Sequence, residues 1–234
     1  MSEWKQKRFW TDVQVTPVEN GFAVQLDGRV VKTPAKSTLI LPTDGMAQRV
    51  AAEWEAQVDV VDPTAMPFTR SANAAIDKVR VQQAEVADLL ADYGDSDLLC
   101  YRADGPRELV ARQARDWDPA LDWAAKMLGA RLDVHTGIMH KAQSPEVVAH
   151  LRRQVHDLTA FQLAAFHDLV SLSGSLVLGF AATRGWKPAA EIWEISRLDE
   201  RWQEEQWGPD EEATARAAHK REAFLHADAF FRHA

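Results

Sequence analysis

The amino-acid sequence predicts an α+β protein, with a small antiparallel β-rich N-terminal domain followed by a larger all-α helical C-terminal domain. In the first forty residues, apolar and polar side chains alternate between Asn-Gly and Asp-Gly turns, which is typical of antiparallel strands. In most of the remaining chain, apolar residues recur at helical spacing. We place the domain boundary after residue 65, so that the predicted domains span residues 1–65 and 66–234.

Four strand segments and one covering helix make up the predicted N-terminal domain. The strand segments are Val13 to Val15, Phe22 to Leu26, Val30 to Val31 and Thr38 to Leu41, with hairpin turns at Asn20-Gly21 and Asp27-Gly28. Thr43 is a good N-cap for the helix that follows, because its hydroxyl can accept a hydrogen bond from an early backbone N–H. Apolar residues from Met46 to Trp54 recur with the helical period, so we expect this helix to cover one face of an antiparallel meander.

The remaining segments are predicted to be helical. They are residues 71–93, 106–116, 119–128, 145–158, 159–169, 171–184, 188–206 and 209–231, and five of them begin at proline. Proline suits the first helical turn because its missing N–H would have no partner there. The apolar run from Leu169 to Thr183 is shorter than the roughly 20 residues needed to cross a bilayer. We interpret it as a core helix, in a protein that is not embedded in a membrane.

Composition restricts the class of partner and the compartment. A net charge of −8 and a pI near 5.5 provide no basic surface for a nucleic-acid backbone, so nucleic acid is not an expected partner. The single cysteine, Cys100, cannot form an internal disulfide, which fits a reducing cytoplasm. The N-terminus MSEWKQKRFW has neither the apolar segment of a secretion signal nor the pattern of a transit peptide.

The motifs of common catalytic chemistries are missing from the sequence. It contains no G-x-x-x-x-G-K-[ST], no G-x-G-x-x-G and no G-x-S-x-G motif, so neither a nucleotide site nor a serine nucleophile is indicated. His135 and His140 are five residues apart and His150 and His156 are six apart, which does not place two imidazoles on one helical face. These patterns predict no metal ligand and no cofactor. Our overall prediction is a protein that is not an enzyme and has no catalytic residue, with a carboxylate pair as the alternative described below.

The most unusual stretch is RLDERWQEEQWGPDEEATAR, Arg197 to Arg216, which is rich in carboxylates and contains two tryptophans. On one continuous helix, Trp202 falls on the apolar side with Ile192, Ile195 and Leu198. A second side gathers Trp193, Ser196, Glu200, Gln203, Glu204 and Trp207. Gly208 and Pro209 end this helix, and Asp210, Glu211 and Glu212 follow in a first turn where the helix dipole favours acids.

Three interpretations of the second side remain open at this point. Its tryptophans can pack beneath neighbouring helices, or they can form a contact surface for another protein, since exposed large aromatic residues mark such surfaces. The third interpretation is a hydrolase or lyase with a carboxylate pair centred on Glu200, which needs one protonated and one ionised carboxyl group.

Several phrases together resemble one protein family. They are RFWTDVQV (residues 8–15), LDGRVVKTP (26–34), AAEWEAQ (51–57), DPTAMPFTR (62–70), DLLCYRA (97–103), WDP (117–119) and LDERWQEEQWGPDEEA (198–213). They resemble the assembly chaperone of the F-type ATP synthase catalytic head that binds the α subunit. The resemblance implies an ATP-independent chaperone that keeps the free α subunit soluble until the β subunit replaces it. Mitochondrial members carry import sequences, whereas this chain begins almost at the first family motif, so a bacterial cytoplasmic member is expected.

The resemblance also suggests site residues. The acidic family motif falls on Asp199, Glu200, Trp202, Gln203, Trp207, Gly208, Asp210 and Glu211. Combined with the helical faces, this predicts partner-binding residues Glu200, Gln203, Glu204, Trp207, Asp210, Glu211 and Trp193, with Glu200 at the centre. Trp202, Gly208 and Trp54, the last from the family's Glu-Trp element, are expected to support the fold.

Overall fold

A computed structural model describes residues 7–234 and divides them into two compact units. The first unit contains the described residues up to Gln83 together with Thr159–Ala164 and Phe230–Ala234, and the second contains Ala84–Leu158 and Ala165–Ala229. The β-rich start and the helical remainder agree with the predicted fold class. Each unit is defined by contacts in space and combines segments that are distant in the sequence. The domain boundary after residue 65 therefore stays a prediction.

The sheet of the first unit is built around one central strand. Its strands are β1 (Val13–Val18), β2 (Gly21–Leu26), β3 (Arg29–Val30) and β4 (Ile40–Leu41). All pairings are antiparallel, and β1, β3 and β4 all pair with β2. The predicted meander is therefore wrong in one respect, because β4 returns to β2 through the pairs Phe22 with Leu41 and Ala23 with Ile40.

Two tight turns set the register of this sheet. Asp27 and Gly28 connect β2 to β3, and both have positive φ, as a two-residue type I′ hairpin requires. The first turn lies at Glu19 and Asn20, one residue before its predicted place, because Gly21 already pairs with Val18. A glycine is needed at position 21 because a Cβ there would collide with the Leu41 carbonyl oxygen.

The predicted covering helix is α1 (Asp44–Glu55), which packs on β1 and β2. The Thr43 side chain accepts a hydrogen bond from the Met46 N–H at 3.2 Å, which confirms the predicted N-cap. Glu53 caps a second helix, α2 (Pro67–Asp77). Its carboxylate accepts hydrogen bonds from the Phe68 N–H at 2.7 Å and the Thr69 N–H at 2.8 Å, so it satisfies donors that a helix N-terminus leaves unpaired.

Helices dominate the chain beyond α2. They are α3 (Gln83–Ala91), α4 (Arg107–Met127), α5 (Pro145–His156), α6 (Ala160–Ser173), α7 (Leu176–Thr183), α8 (Ala189–Ser196), α9 (Leu198–Trp207) and α10 (Glu211–Arg232). A short parallel pair that the sequence did not indicate, β5 (Tyr101–Arg102) and β6 (His135–Thr136), lies in the second unit.

Three of the differences from the predicted helical segments lie between residues 71 and 184. The segment 71–93 is divided by a 3-10 turn at Val79–Gln82 between α2 and α3. The segments 106–116 and 119–128 are one helix, α4, with Pro119 inside it. Pro119 is exposed, so water can reach the carbonyl group that its missing N–H leaves without a helical partner. The segment 171–184 is interrupted at Gly174, whose φ of +71° ends α6.

The core of the second unit contains α7, as predicted for the apolar run. Every residue from Leu176 to Ala182 is buried. A Cβ on Gly179 would lie 2.7 Å from Val170 Cγ2, so this glycine permits the close approach of α6 and α7. No helix among residues 7–234 is both long and apolar enough to cross a membrane.

A buried carboxylate, Asp97, anchors the start of α7. It has no solvent exposure and accepts hydrogen bonds from the Leu99 N–H, the Val177 N–H and the Ser175 hydroxyl, each at 3.0 Å. Burial raises the pKa of Asp97 to about 6, although these hydrogen bonds favour the anion. This one side chain therefore joins the segment before β5 to the N-terminus of α7.

Candidate functional site

The acidic stretch does not lie on one continuous helix. The helix predicted at residues 188–206 breaks at Arg197, where φ is −97° and ψ is 14°, and this break separates α8 from α9. The Arg197 N–H still bonds to the carbonyl groups of Trp193 and Glu194, but the chain then starts a new helix. Helical angles counted across residue 197 therefore do not apply.

Trp193 is the residue most affected by this break. It was predicted on the contact side with Glu200, but it is 3% exposed, and its ring packs against Phe224 of α10 with the centroids 5.7 Å apart. Ser196 is buried as well, and its hydroxyl donates to the Trp193 carbonyl oxygen. The prediction that Trp193 shares an open face with Glu200 is wrong, so the proposal below leaves it out.

The other predicted contact residues of α9 are brought together. Glu200, Gln203, Glu204, Trp207 and Asp210 line one pocket of about 340 Å³, which we call the Glu200 pocket. Trp207 stands at its edge and is 80% exposed. The Asp210 side chain accepts a hydrogen bond from the Ala213 N–H at 2.6 Å, which caps α10. Glu211 is exposed in the first turn of α10 and does not line the pocket.

Basic groups that the sequence reasoning missed balance this pocket. Arg197 contacts Glu200 at 3.0 Å and Glu204 at 3.5 Å, and Arg216 and Lys220 of α10 also line the pocket. The spacing offered a signal for Arg197, because it lies three residues before Glu200. Both glutamates contact the same guanidinium, whereas the hydrolase or lyase interpretation needs two carboxyl groups in contrasting surroundings. The geometry therefore gives the hydrolase or lyase interpretation no support.

Contacts with α4 hold α9 in place. Arg112 donates two hydrogen bonds to the Glu205 carboxylate, at 2.6 and 2.8 Å, which lowers the pKa of Glu205. Gln113, which is 2% exposed, donates from Nε2 to Asp199 Oδ1 at 2.8 Å. These contacts fix the rotation of α9 and so decide which of its side chains face solvent.

The three residues expected to support the fold have different surroundings. Trp54 is half-buried against Trp10, with ring centroids 5.2 Å apart. Trp202 is also half-buried and lines a groove beside α4, so its predicted packing in the core is only partial. Gly208 ends α9 with a φ of +86° and donates its N–H to the Glu204 carbonyl oxygen. A side chain at position 208 would be strained.

Neither a metal-binding cluster nor an exposed thiol is present in the described part of the chain. Among residues 7–234, no group of three or more His, Cys, Asp or Glu side chains is arranged to hold a metal ion. Cys100 is fully buried, and burial raises the pKa of its thiol.

Comparison with known proteins gives a consistent picture. A model of the ATP12 chaperone protein family matches residues 7–125. The mitochondrial protein atp12 of Schizosaccharomyces pombe is 28% identical over 220 residues, which cover 88% of this chain and 75% of that protein. The crystal structure of Atp12 from Paracoccus denitrificans has a TM-score of 0.96 at 48% identity, with 99% of each chain covered. An aspartate-to-lysine mutant of the Paracoccus protein gives a TM-score of 0.97 at the same identity and coverage. With a family match over half of its length and the same fold at 48% identity, this chain belongs to the ATP12 chaperone family, which is a family of chaperones and not of enzymes.

Proposed function

We propose that this ATP synthase assembly chaperone binds the free α subunit of the F-type catalytic head and keeps it soluble until the β subunit replaces it. Binding would occur without ATP, and the sequence has no phosphate-binding loop that would suggest otherwise. Membership of the ATP12 family supports a role in assembly. We further propose the bacterial cytoplasm as the site of action.

The observation that carries the proposal is the exposed Trp207 beside the Glu200 pocket. A tryptophan that is 80% exposed at the end of a helix offers a large apolar area to a partner. Glu200, Glu204 and Asp210 lie within the same pocket, where they can pair with basic groups of a client. Gln203 adds a neutral hydrogen-bonding group between them.

Arg197 gives this surface a specific property. Because its guanidinium holds Glu200 and Glu204, a basic client side chain must compete with an internal partner. Such competition would make the pairing reversible, which suits a chaperone that has to release its client. Association should weaken as salt is added, because exposed charges are screened.

Charge reversal at Glu200 tests the proposal. Purified wild type, Glu200→Lys and the matched control Glu222→Lys would be compared for suppression of α-subunit aggregation. We expect Glu200→Lys to lose most of its activity, since lysine would face Arg197 and repel a basic client. Glu222 is a 76% exposed residue of α10 outside the pocket, so its reversal should have little effect.

The possible outcomes test the role of Glu200 and the identity of the client separately. Melting temperatures within about 2 °C of wild type would show that the variants fold, since about 1 kcal/mol moves the melting temperature of a chain of this size by 2–4 °C. Full activity of folded Glu200→Lys would show that Glu200 does not take part in client binding. A pull-down from bacterial extract that captures other proteins but no α subunit would instead argue for a different client.

A further inference from the structure

A groove of about 670 Å³ lies beside α9 in the second unit and continues the Glu200 pocket. We call it the α4–α9 groove. Its walls come from β5, the first turns of α4, the loop after β6, and α9. Gln203 and Trp207 line both the groove and the Glu200 pocket, so the two concavities meet at these side chains.

The groove is lined by large apolar side chains from separate elements. They are Leu98, Tyr101, Leu109, Ile138, Trp202 and Trp207. Ile138 is 92% exposed and Trp207 is 80% exposed. Single exposed apolar residues are common on protein surfaces, but convergence of several on one concavity is typical of a binding site.

The charges of the groove differ from those of the Glu200 pocket. Asp104 and Asp199 line it, and Arg102 is the one basic residue among the lining residues that belong to the described range 7–234. Arg102 is 9% exposed and forms an ion pair with Asp118 at 2.8 Å, so its charge is already compensated. The groove is therefore apolar and net negative, whereas three basic side chains balance the Glu200 pocket.

Asp199 is well placed to act as the polar anchor of the groove. Gln113, which is buried, donates to Asp199 Oδ1 and accepts a hydrogen bond from the Ala103 N–H at 2.9 Å. The buried amide therefore fixes the carboxylate on the groove wall without neutralising its charge. A preorganised charge of this kind selects a partner of opposite charge at a low ordering cost.

We propose that the α4–α9 groove binds a segment of the client α subunit in which a lysine or arginine adjoins one or two large apolar side chains. The apolar side chains would contact Ile138, Trp202 and Trp207, and the basic group would pair with Asp199. This inference rests on the function proposed above and adds the chemistry of the recognised segment. It also assigns binding to Ile138 and Asp199 in addition to Glu200.

Two substitutions with matched controls test the groove by affinity for purified α subunit. We expect Ile138→Asp and Asp199→Asn each to weaken binding about tenfold, which corresponds to about 1.4 kcal/mol. Asparagine keeps an oxygen for the Gln113 amide, so Asp199→Asn should fold normally. The controls Met127→Asp and Asp122→Asn lie in the last turns of α4, with Asp122 about 13 Å along the helix from Gln113, and should bind within twofold of wild type.

Two further measurements report on the chemistry of the bound segment: the salt dependence of binding tests the ion pair, and a crosslinker identifies the segment. Asp199→Asn should show a weaker dependence of affinity on salt than wild type, because one ion pair is missing. A photoreactive phenylalanine analogue at position 138 should crosslink to an α-subunit segment that contains a basic residue next to apolar ones. A crosslink to a segment without a basic residue, or only to a second copy of this chain, would overturn the proposal.

The results also separate this inference from the function on which it rests. If wild type binds α subunit and both groove variants bind equally well, the groove is excluded while the proposed function stands. If wild type does not bind α subunit at all, both are overturned.

Discussion

Asp97 and Glu200 are both carboxylates near helix N-termini in the second unit, but their surroundings give them different roles. Asp97 has no solvent exposure, and its partners are two backbone N–H groups and a hydroxyl. The Glu200 side chain is 49% exposed, and its partner is the Arg197 guanidinium. A carboxylate whose partners are fixed backbone groups supports the fold. One that is paired with an exposed side chain stays available to another protein.

The largest expected effect is the difference in the free energy of unfolding between variants that lack the Asp97 carboxylate and variants that lack the Glu200 carboxylate. Asp97→Ala leaves several buried donors without an acceptor, so we expect the free energy of unfolding to fall by about 4 kcal/mol. Glu200→Ala should change it by less than about 0.5 kcal/mol, as for most surface substitutions. Urea unfolding of the two variants and wild type measures both values. Equal losses would contradict the comparison.

The second largest expected effect is the contribution of Asp97 to the pH dependence of the free energy of unfolding. Its pKa is raised from 3.8 to about 6, so between these values the folded protein holds a proton that the unfolded chain releases. The corresponding stability is fully present below about pH 3.8 and is lost as pH rises through about 6. A shift of about two units corresponds to about 3 kcal/mol, at about 1.4 kcal/mol per unit.

The measurement is the free energy of unfolding from pH 4 to pH 7 for wild type and Asp97→Asn. The difference between the two curves isolates the contribution of Asp97 from that of the other carboxylates. Wild type should lose stability relative to Asp97→Asn as the pH rises through this range. Parallel curves would show that Asp97 does not titrate in this window.

Glu53 provides an intermediate case. It is half-buried and caps α2, so Glu53→Gln keeps one acceptor oxygen but loses the charge and the second acceptor. We expect a loss of about 1 to 2 kcal/mol, in the range of an N-cap with its helix dipole. Glu55→Gln is the matched control, because Glu55 is 57% exposed and forms an ion pair with Arg8. Its effect should stay below about 0.5 kcal/mol. If Glu53→Gln lowers the free energy of unfolding by less than this control does, Glu53 does not support the fold.

Much of the fold could be predicted because it depends on local signals. Asp27-Gly28 can adopt the positive φ angles of a tight hairpin, and Thr43 offers a hydroxyl at a helix start. Pro119 misled the prediction, because proline at a first turn and proline on an exposed helix surface look alike in sequence. The pairing of β4 with β2 depends on contacts between residues distant in sequence, which periodicity does not contain.

The site was only partly predictable for a similar reason. Glu200, Gln203, Glu204 and Trp207 share a pocket because they lie on one short helix, where spacing is sufficient. Trp193 was misplaced because neither glycine nor proline marks the break at Arg197. Ile138 was missed because it reaches the α4–α9 groove from a loop about 60 residues earlier, and loops have no period to read.

The residues that complete the first unit also affect how the chain folds during synthesis. Phe230 packs against Phe68, and the His233 carbonyl oxygen accepts a hydrogen bond from the hydroxyl of Thr43, which is 190 residues away in sequence. A ribosome therefore has to release the whole helical region before the β-rich unit can acquire these contacts. Although its strands emerge first, the first unit is among the last parts of the chaperone to be completed.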